Sequence, residues 1–178
     1  MRRLRRARRF AWSTSSETTG EPASHAPHLV SAVALLDVNV LVALFDPDHI
    51  HHELAHDWFA DQRADGWATC AVTENGLVRV LCHAKYGATV NRPDEIVARL
   101  RAFCGSGHHV FWPDTVSLRD ERLFNPSFIR GHRQVSDIYL LGLATKMSGS
   151  LATFDRNIPA GAVVGATRQT LAVIEAAV

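Results

Sequence analysis

Val33-Ala-Leu-Leu-Asp37-Val-Asn39-Val-Leu-Val-Ala-Leu-Phe45-Asp46 is an apolar run broken by one carboxylate and one amide. Val33 to Leu36 has no polar alternation, as in a strand buried on both faces of a parallel sheet; periodicity alone leaves a buried helix open. From Asn39 onward, Val40, Leu41, Leu44 and Phe45 recur at the spacing of an inward helical stripe. The segment therefore reads strand, acidic turn, helix, with Asp37 where the strand ends. Ligands of open parallel sheets bind beyond the carboxyl ends of strands, which makes Asp37 a candidate site residue. Its side chain is equally suited to capping the helix that follows. Partner carboxylates elsewhere in the chain are what separates the two readings.

Three further acids occupy comparable places. Trp67 to Val72 predicts a short strand, after which Thr73 as N-cap and Glu74 in the first turn open a stripe of Leu77, Val78, Leu81 and Ala84. Val135-Ser136-Asp137 leads into a helix through Met147, with Ser136 able to cap and Asp137 in its first turn. Gly149 to Asp155 predicts a strand whose carboxylate again follows the strand end. Between these, Pro93 starts a helix that Gly105 ends, and His108 to Pro113 reads as a strand. Gly161 to Gly165 reads as one more strand and Leu171 to Ala177 as a closing helix. A first-turn acid on its own commonly does no more than offset the helix dipole.

Composition bounds the remaining choices. With 178 residues, an apolar fraction of 47% and 21% charged residues, the chain fits one soluble domain with a proper core. No apolar run reaches the roughly 18 residues of a membrane span, so no membrane association is expected. Cys70, Cys82 and Cys104 are odd in number and lack Cys-x-x-Cys spacing, which indicates neither a disulfide framework nor a zinc ribbon and suits a cytoplasmic location. Residues 1–32 carry six arginines against Glu17 and Glu21, a net +4 that leaves −3 of the total +1 for the rest. That basic arm has no apolar period and reads as disordered; a true translation start near Val33 and an RNA-binding tail are the other readings. His52 and His56 stand four apart on a helix from His49 to Ala60, a spacing open to a metal, but the His-Glu-x-x-His pattern is missed by one residue. Solvated or packed histidines are therefore the reading preferred over a zinc site.

Strand, acid and helix in alternation imply an α/β fold with the acids gathered on one sheet edge. Two unit charges 4 Å apart repel by about 4 kcal/mol at an effective dielectric near 20, so such a cluster must protonate or hold a cation. Carboxylate oxygens without a neighbouring cysteine favour Mg²⁺, or Mn²⁺, over zinc. The chemistry that fits is metal-assisted phosphodiester hydrolysis.

Leu-Leu-Asp37-x-Asn39-Val-Leu-Val, Thr73-Glu74, Val-Ser136-Asp137-x-Tyr-Leu-Leu and Leu-Ala-Thr153-Phe-Asp155, in this order, resemble the PIN-domain ribonucleases, and most nearly the VapC-type toxins of type II toxin–antitoxin systems. The resemblance runs from Val33 almost to the C-terminus and includes the His-rich helix after Asp48-His49. It implies a single PIN-like domain over residues 33–178, with a central, mostly parallel sheet flanked by helices. It also implies a magnesium site of Asp37, Glu74, Asp137 and Asp155, supported by Asn39, Ser136 and Thr153. The implied activity is Mg²⁺-dependent endoribonuclease cleavage of RNA such as tRNA, neutralised by a cognate antitoxin, in a homodimer. Two alternatives stand beside it. One is a haloacid-dehalogenase-like phosphatase with Asp37 as nucleophile, against which Asn39 stands where a second aspartate is usual. The other is a catalytically inactive RNA- or partner-binding domain of the same fold, against which the four intact acids argue.

Overall fold

The structure, a computed structural model, describes residues 33–84, 86 and 91–176; the basic arm over 1–32 lies outside the described residues. Five strands, β1 (Ala34–Leu36), β2 (Trp67–Cys70), β3 (His109–Trp112), β4 (Ser150–Thr153) and β5 (Leu171–Val173), form one parallel sheet in the order β3-β2-β1-β4-β5. Among the described residues five α-helices, α1 (Val38–Phe45), α2 (His52–Gln62), α3 (Ala71–Leu81), α4 (Pro93–Cys104) and α5 (Val135–Lys146), cover it. The strand order makes β1 the centre, with β2 on one side and β4 on the other. Parallel neighbours need crossovers, and a crossover helix runs back against its strands, so the helix N-termini return to the carboxyl edge of the sheet.

The unbroken apolar run of β1 serves two cores. Ala34 and Leu36 pack with α1, α2, α3 and α4, and Leu35 on the opposite face packs with Ile138, Leu141 and Phe124. Residues on successive strand positions point to opposite faces, so a strand covered on both sides has no polar position to spare. That settles Ala34 to Leu36 as strand. The close packing reaches Gly142 of α5, where an added Cβ would lie 2.2 Å from the Phe124 ring.

The C-terminus of α1 shows where the histidine-rich segment belongs. The last four carbonyls of a helix lack intrahelical partners. Here Asp46 N–H donates to Val42 O at 2.9 Å, His52 Nδ1 lies 2.7 Å from Ala43 O, His56 Nε2 lies 3.1 Å from Leu44 O, and Arg99 Nη2 donates to Phe45 O at 2.5 Å. With a neutral ring the hydrogen belongs on the nitrogen that faces a carbonyl. His52 and His56 thus tie α2 to α1, the packing reading of their spacing.

Several local expectations are corrected. Leu171 to Val173 is a strand, not the start of a helix: β4 has an open edge, and pairing Leu151 with Leu171 through Thr153 with Val173 satisfies its backbone. Gly161 to Gly165 is not a strand; Ala160–Ala162 forms a 3₁₀ turn, and Val163 makes one antiparallel bridge to Phe124. Thr73 is the third residue of α3 rather than its N-cap, because pairing of Cys70 with Trp112 ends β2 one residue before the helix begins. Its buried hydroxyl accepts from Cys70 N–H at 3.0 Å and so reaches back to the cap. Ser136 is not a cap either: a 3₁₀ turn over His132–Gln134 leads directly into α5 and puts Ser136 second in the helix.

Candidate metal centre

The strand order reverses between β1 and β4, which makes the gap beyond their carboxyl ends the crevice where α/β sheets bind ligands. Asp37 leaves β1 at that point and Asp155 follows β4 by two residues. Between them stands the Thr153 hydroxyl. It donates to Asp37 Oδ2 at 2.7 Å and accepts from Asn39 Nδ2 at 3.0 Å and from Asp155 N–H at 3.1 Å. One donor and two acceptor positions exhaust what a hydroxyl offers, so its orientation is fixed. Asn39 Oδ1 in turn accepts from Phe154 N–H at 3.4 Å. The ends of two neighbouring strands are thus clamped by side chains from both. Asp37 Oδ1 also accepts from Val38 N–H at 2.6 Å, so the same carboxylate is helix cap and member of the cluster.

Asp37 is 3% exposed, and burial pushes its carboxyl above the ordinary value of 3.8, against the pull of Thr153 and Val38 and with a further push from Asp155. Asp137, in the first turn of α5, is half-buried and raised to about 6, by burial first and then by Asp37 and Asp155. Asp155 makes ionisation of Asp37 harder, and Asp37 and Asp155 together make that of Asp137 harder, the arrangement in which a bound cation is most favourable. The donors are all oxygens, a set that fits Mg²⁺ or Mn²⁺.

Two cavities meet at Asp37 and Asp137. One of about 540 Å³ is lined by Asp37, Ser136 and Asp137 together with Arg79, His83 and Arg133. The other, of about 330 Å³, is lined by Asp37, Asn39 and Asp137 together with His49 and Tyr86. An acidic floor with cationic and imidazole walls suits a polyanion whose phosphate meets a metal. Reading the sequence missed Arg79, His83, Arg133 and His49. For α3 a signal was available: Val72, Gly76, Arg79 and Val80 recur at helical spacing and share the cavity face, which His83 extends two residues past the helix end.

The structure brings together Asp37, Asp137 and Asp155, with Asn39 and Thr153 bonded among them and Ser136 on the cavity wall. It does not bring Glu74 to them. Glu74 lies roughly 200° around α3 from the cavity-facing Val72. Its Oε1 accepts from Thr69 Oγ1 at 2.6 Å, and it neighbours Cys104 and His109 instead.

A family model described as PIN domain matches residues 34–163. The chain belongs to the PIN-domain family. Among its relatives, "Ribonuclease VapC44" of Mycobacterium tuberculosis is 44% identical over 141 residues, covering 79% of this chain and 99% of that protein. "Ribonuclease VapC39" of the same organism is 39% identical over 132 residues, 74% of this chain and 95% of its own. "Ribonuclease VapC38" is 42% identical over 129 residues, covering 71% and 87%. This PIN domain is therefore of the VapC type, and the phosphatase alternative falls away: Asn39, where that alternative wants a second acid, is engaged in clamping β1 to β4. No helix among the described residues is long and apolar enough to cross a membrane.

Proposed function

We propose that this PIN domain is a metal-dependent endoribonuclease, the toxin of a toxin–antitoxin pair, acting in the cytoplasm. The observation that carries the reading is the convergence of Asp37, Asp137 and Asp155 on the switch point, with two arginines on the wall of the same cavity. Asp37, Asp137 and Asp155 would hold Mg²⁺ or Mn²⁺. A divalent ion there supplies Lewis-acid stabilisation of phosphoryl oxygens and activation of an attacking water. Thr153 and Asn39 keep Asp37 and the Asp155 backbone in place, the supporting shell on which such a site depends. Arg79 and Arg133 hold the phosphates of the strand, and Ser136 stands beside Asp137 to orient a phosphate oxygen. The intact acids favour catalysis over a binding-only domain.

RNA, such as tRNA or another structured RNA, is the proposed substrate, a cognate antitoxin the inhibitor, and a homodimer the assembly. The relatives named as VapC ribonucleases support the activity. A direct test incubates the purified chain with total RNA across a magnesium titration and sequences the new ends. Cleavage at defined sites that EDTA stops, and that Asp37→Asn or Asp137→Asn abolishes, is the expected result. Metal-dependent cleavage retained in both variants would refute the assignment.

A further inference from the structure

We propose that Glu74, Cys104 and His109 form a second metal site, for a zinc-class transition ion, which fastens the end of α4 and the start of β3 to α3. This inference does not rest on the nuclease reading. One ligand atom from each of the three side chains lies within 4.8 Å of the others, and all three residues are partly buried. Thiolate, imidazole and carboxylate together are a zinc donor set, unlike the oxygen donors of the Asp37 cluster.

The local chain is built to hold two of the donors. Cys104 ends α4 and His109 opens β3, so Cys-x₄-His spans a tight loop in which Gly107 and His108 have φ of 98° and 59°. That loop is tied down from outside: Arg63 Nη2 donates to Ser106 O at 2.8 Å, and Trp67 Nε1 donates to Gly107 O at 3.1 Å. The Trp67 ring lies 4.5 Å from the His109 ring and limits its rotation. The buried Thr69 hydroxyl donates to Glu74 Oε1 and lies 2.8 Å from His109 Nε2, the kind of outer contact that orients metal ligands.

Ligands around tetrahedral zinc stand roughly 3.3 to 3.8 Å apart, so the three atoms need to close by about 1.5 Å at most. Partial exposure leaves a way in and a fourth position for water. Without an ion the Cys104 thiol is raised to about 11, by burial and then by the Glu74 carboxylate. On binding, the thiol releases its proton to solvent and the sulfur–metal bond replaces the S–H bond. The His52 and His56 pair is a weaker candidate, since each already faces a carbonyl of α1.

Cobalt(II) added to the metal-free full chain tests this, because a thiolate bound to cobalt gives a charge-transfer band in the near ultraviolet. The expected result is one such band saturating at one equivalent, reversed by zinc. Cys104→Ser should abolish it, His109→Gln should weaken cobalt binding at least about tenfold, and Cys82→Ser should leave it intact. Zinc should raise the melting temperature of the wild type and not of Cys104→Ser. If Cys104→Ser does not fold, His109→Gln carries the test on the same band. Absence of the band, its survival in folded Cys104→Ser, or unweakened binding in His109→Gln would overturn the proposal. Magnesium-dependent RNA cleavage, followed in parallel, reports on the Asp37 centre independently.

Discussion

The Asp37 cluster and the Glu74 cluster lie in one small sheet domain and differ in how they are held. At the switch point, three carboxylates come from two strand ends and one helix start, and Thr153 and Asn39 bond the strand ends together. Against β2 and β3, one carboxylate meets a thiol and an imidazole around the Thr69 hydroxyl. The first set is all oxygen and the second is mixed, which divides hard from borderline cations between them. The comparison teaches that a first-turn acid is assigned to a site by the face of its helix, not by its distance along the chain from a strand.

The sharpest way to break the contrast is to remove one acid of the switch point. Asp37→Asn or Asp137→Asn should lower magnesium-dependent RNA cleavage by about a hundredfold or more, comparable with the loss of a dominant electrostatic group. Melting temperature of metal-free Asp137→Asn should be unchanged or higher, because the substitution removes a charge that burial disfavours; Asp37→Asn should melt lower, because its amide NH₂ replaces an oxygen that accepts from Thr153 or from Val38 N–H. Cleavage assays alongside thermal melts read both effects.

Next in size is Thr153→Val, which deletes the hydroxyl while keeping the shape of a fully buried side chain. Asp37 loses a hydrogen bond that favours its charged form, so its carboxyl should rise further. We expect magnesium affinity to fall about ten- to a hundredfold and the acidic limb of the pH–rate profile to move to higher pH. Calorimetry and a pH series measure the two.

A smaller effect is expected on the cavity wall. Arg79→Ala and Arg133→Ala should each weaken RNA binding more at low salt than at high salt, and each should flatten the slope of log affinity against log salt by about one. Competition binding at several salt concentrations reads that slope.

The smallest effect is a pH dependence of stability. Asp137 has a folded value of about 6 against 3.8 ordinarily. Its contribution to metal-free stability is fully present below about 3.8 and is lost as pH rises through about 6, because the folded state holds the proton more tightly. Metal binding needs the carboxylate, so magnesium affinity should run the other way and fall as pH drops below about 6. Melts of wild type and Asp137→Asn from pH 4 to about 7, with and without magnesium, separate the two signs.

How far the sequence carried this picture depends on what each residue's neighbours could reveal. Asp37 was legible because an unbroken apolar run on one side and a helical stripe on the other leave it nowhere but the junction. Asp137 and Asp155 followed by the same reasoning. Glu74 has the same first-turn signature, yet Thr73, Leu77 and Leu81 are the buried stripe of α3 and set a rotation that turns Glu74 toward Thr69. Composition of one helix does not reveal which neighbour its remaining faces meet. At the C-terminus, Leu-Ala-Val is too short for periodicity to decide, and the open edge of β4 made it a strand. Arg133 could not be placed from sequence, since the segment before α5 has no period and only the fold brings it to the cavity.

Manganese(II) binding, followed by the electron paramagnetic resonance signal of the free ion, tests the central claim most directly when wild type, Asp37→Asn and Glu74→Gln are titrated side by side. The account predicts that Asp37→Asn loses the tight manganese site and that Glu74→Gln keeps it. Loss of that site in Glu74→Gln with retention in Asp37→Asn would contradict the placement of the hard-cation centre at the β1–β4 switch point.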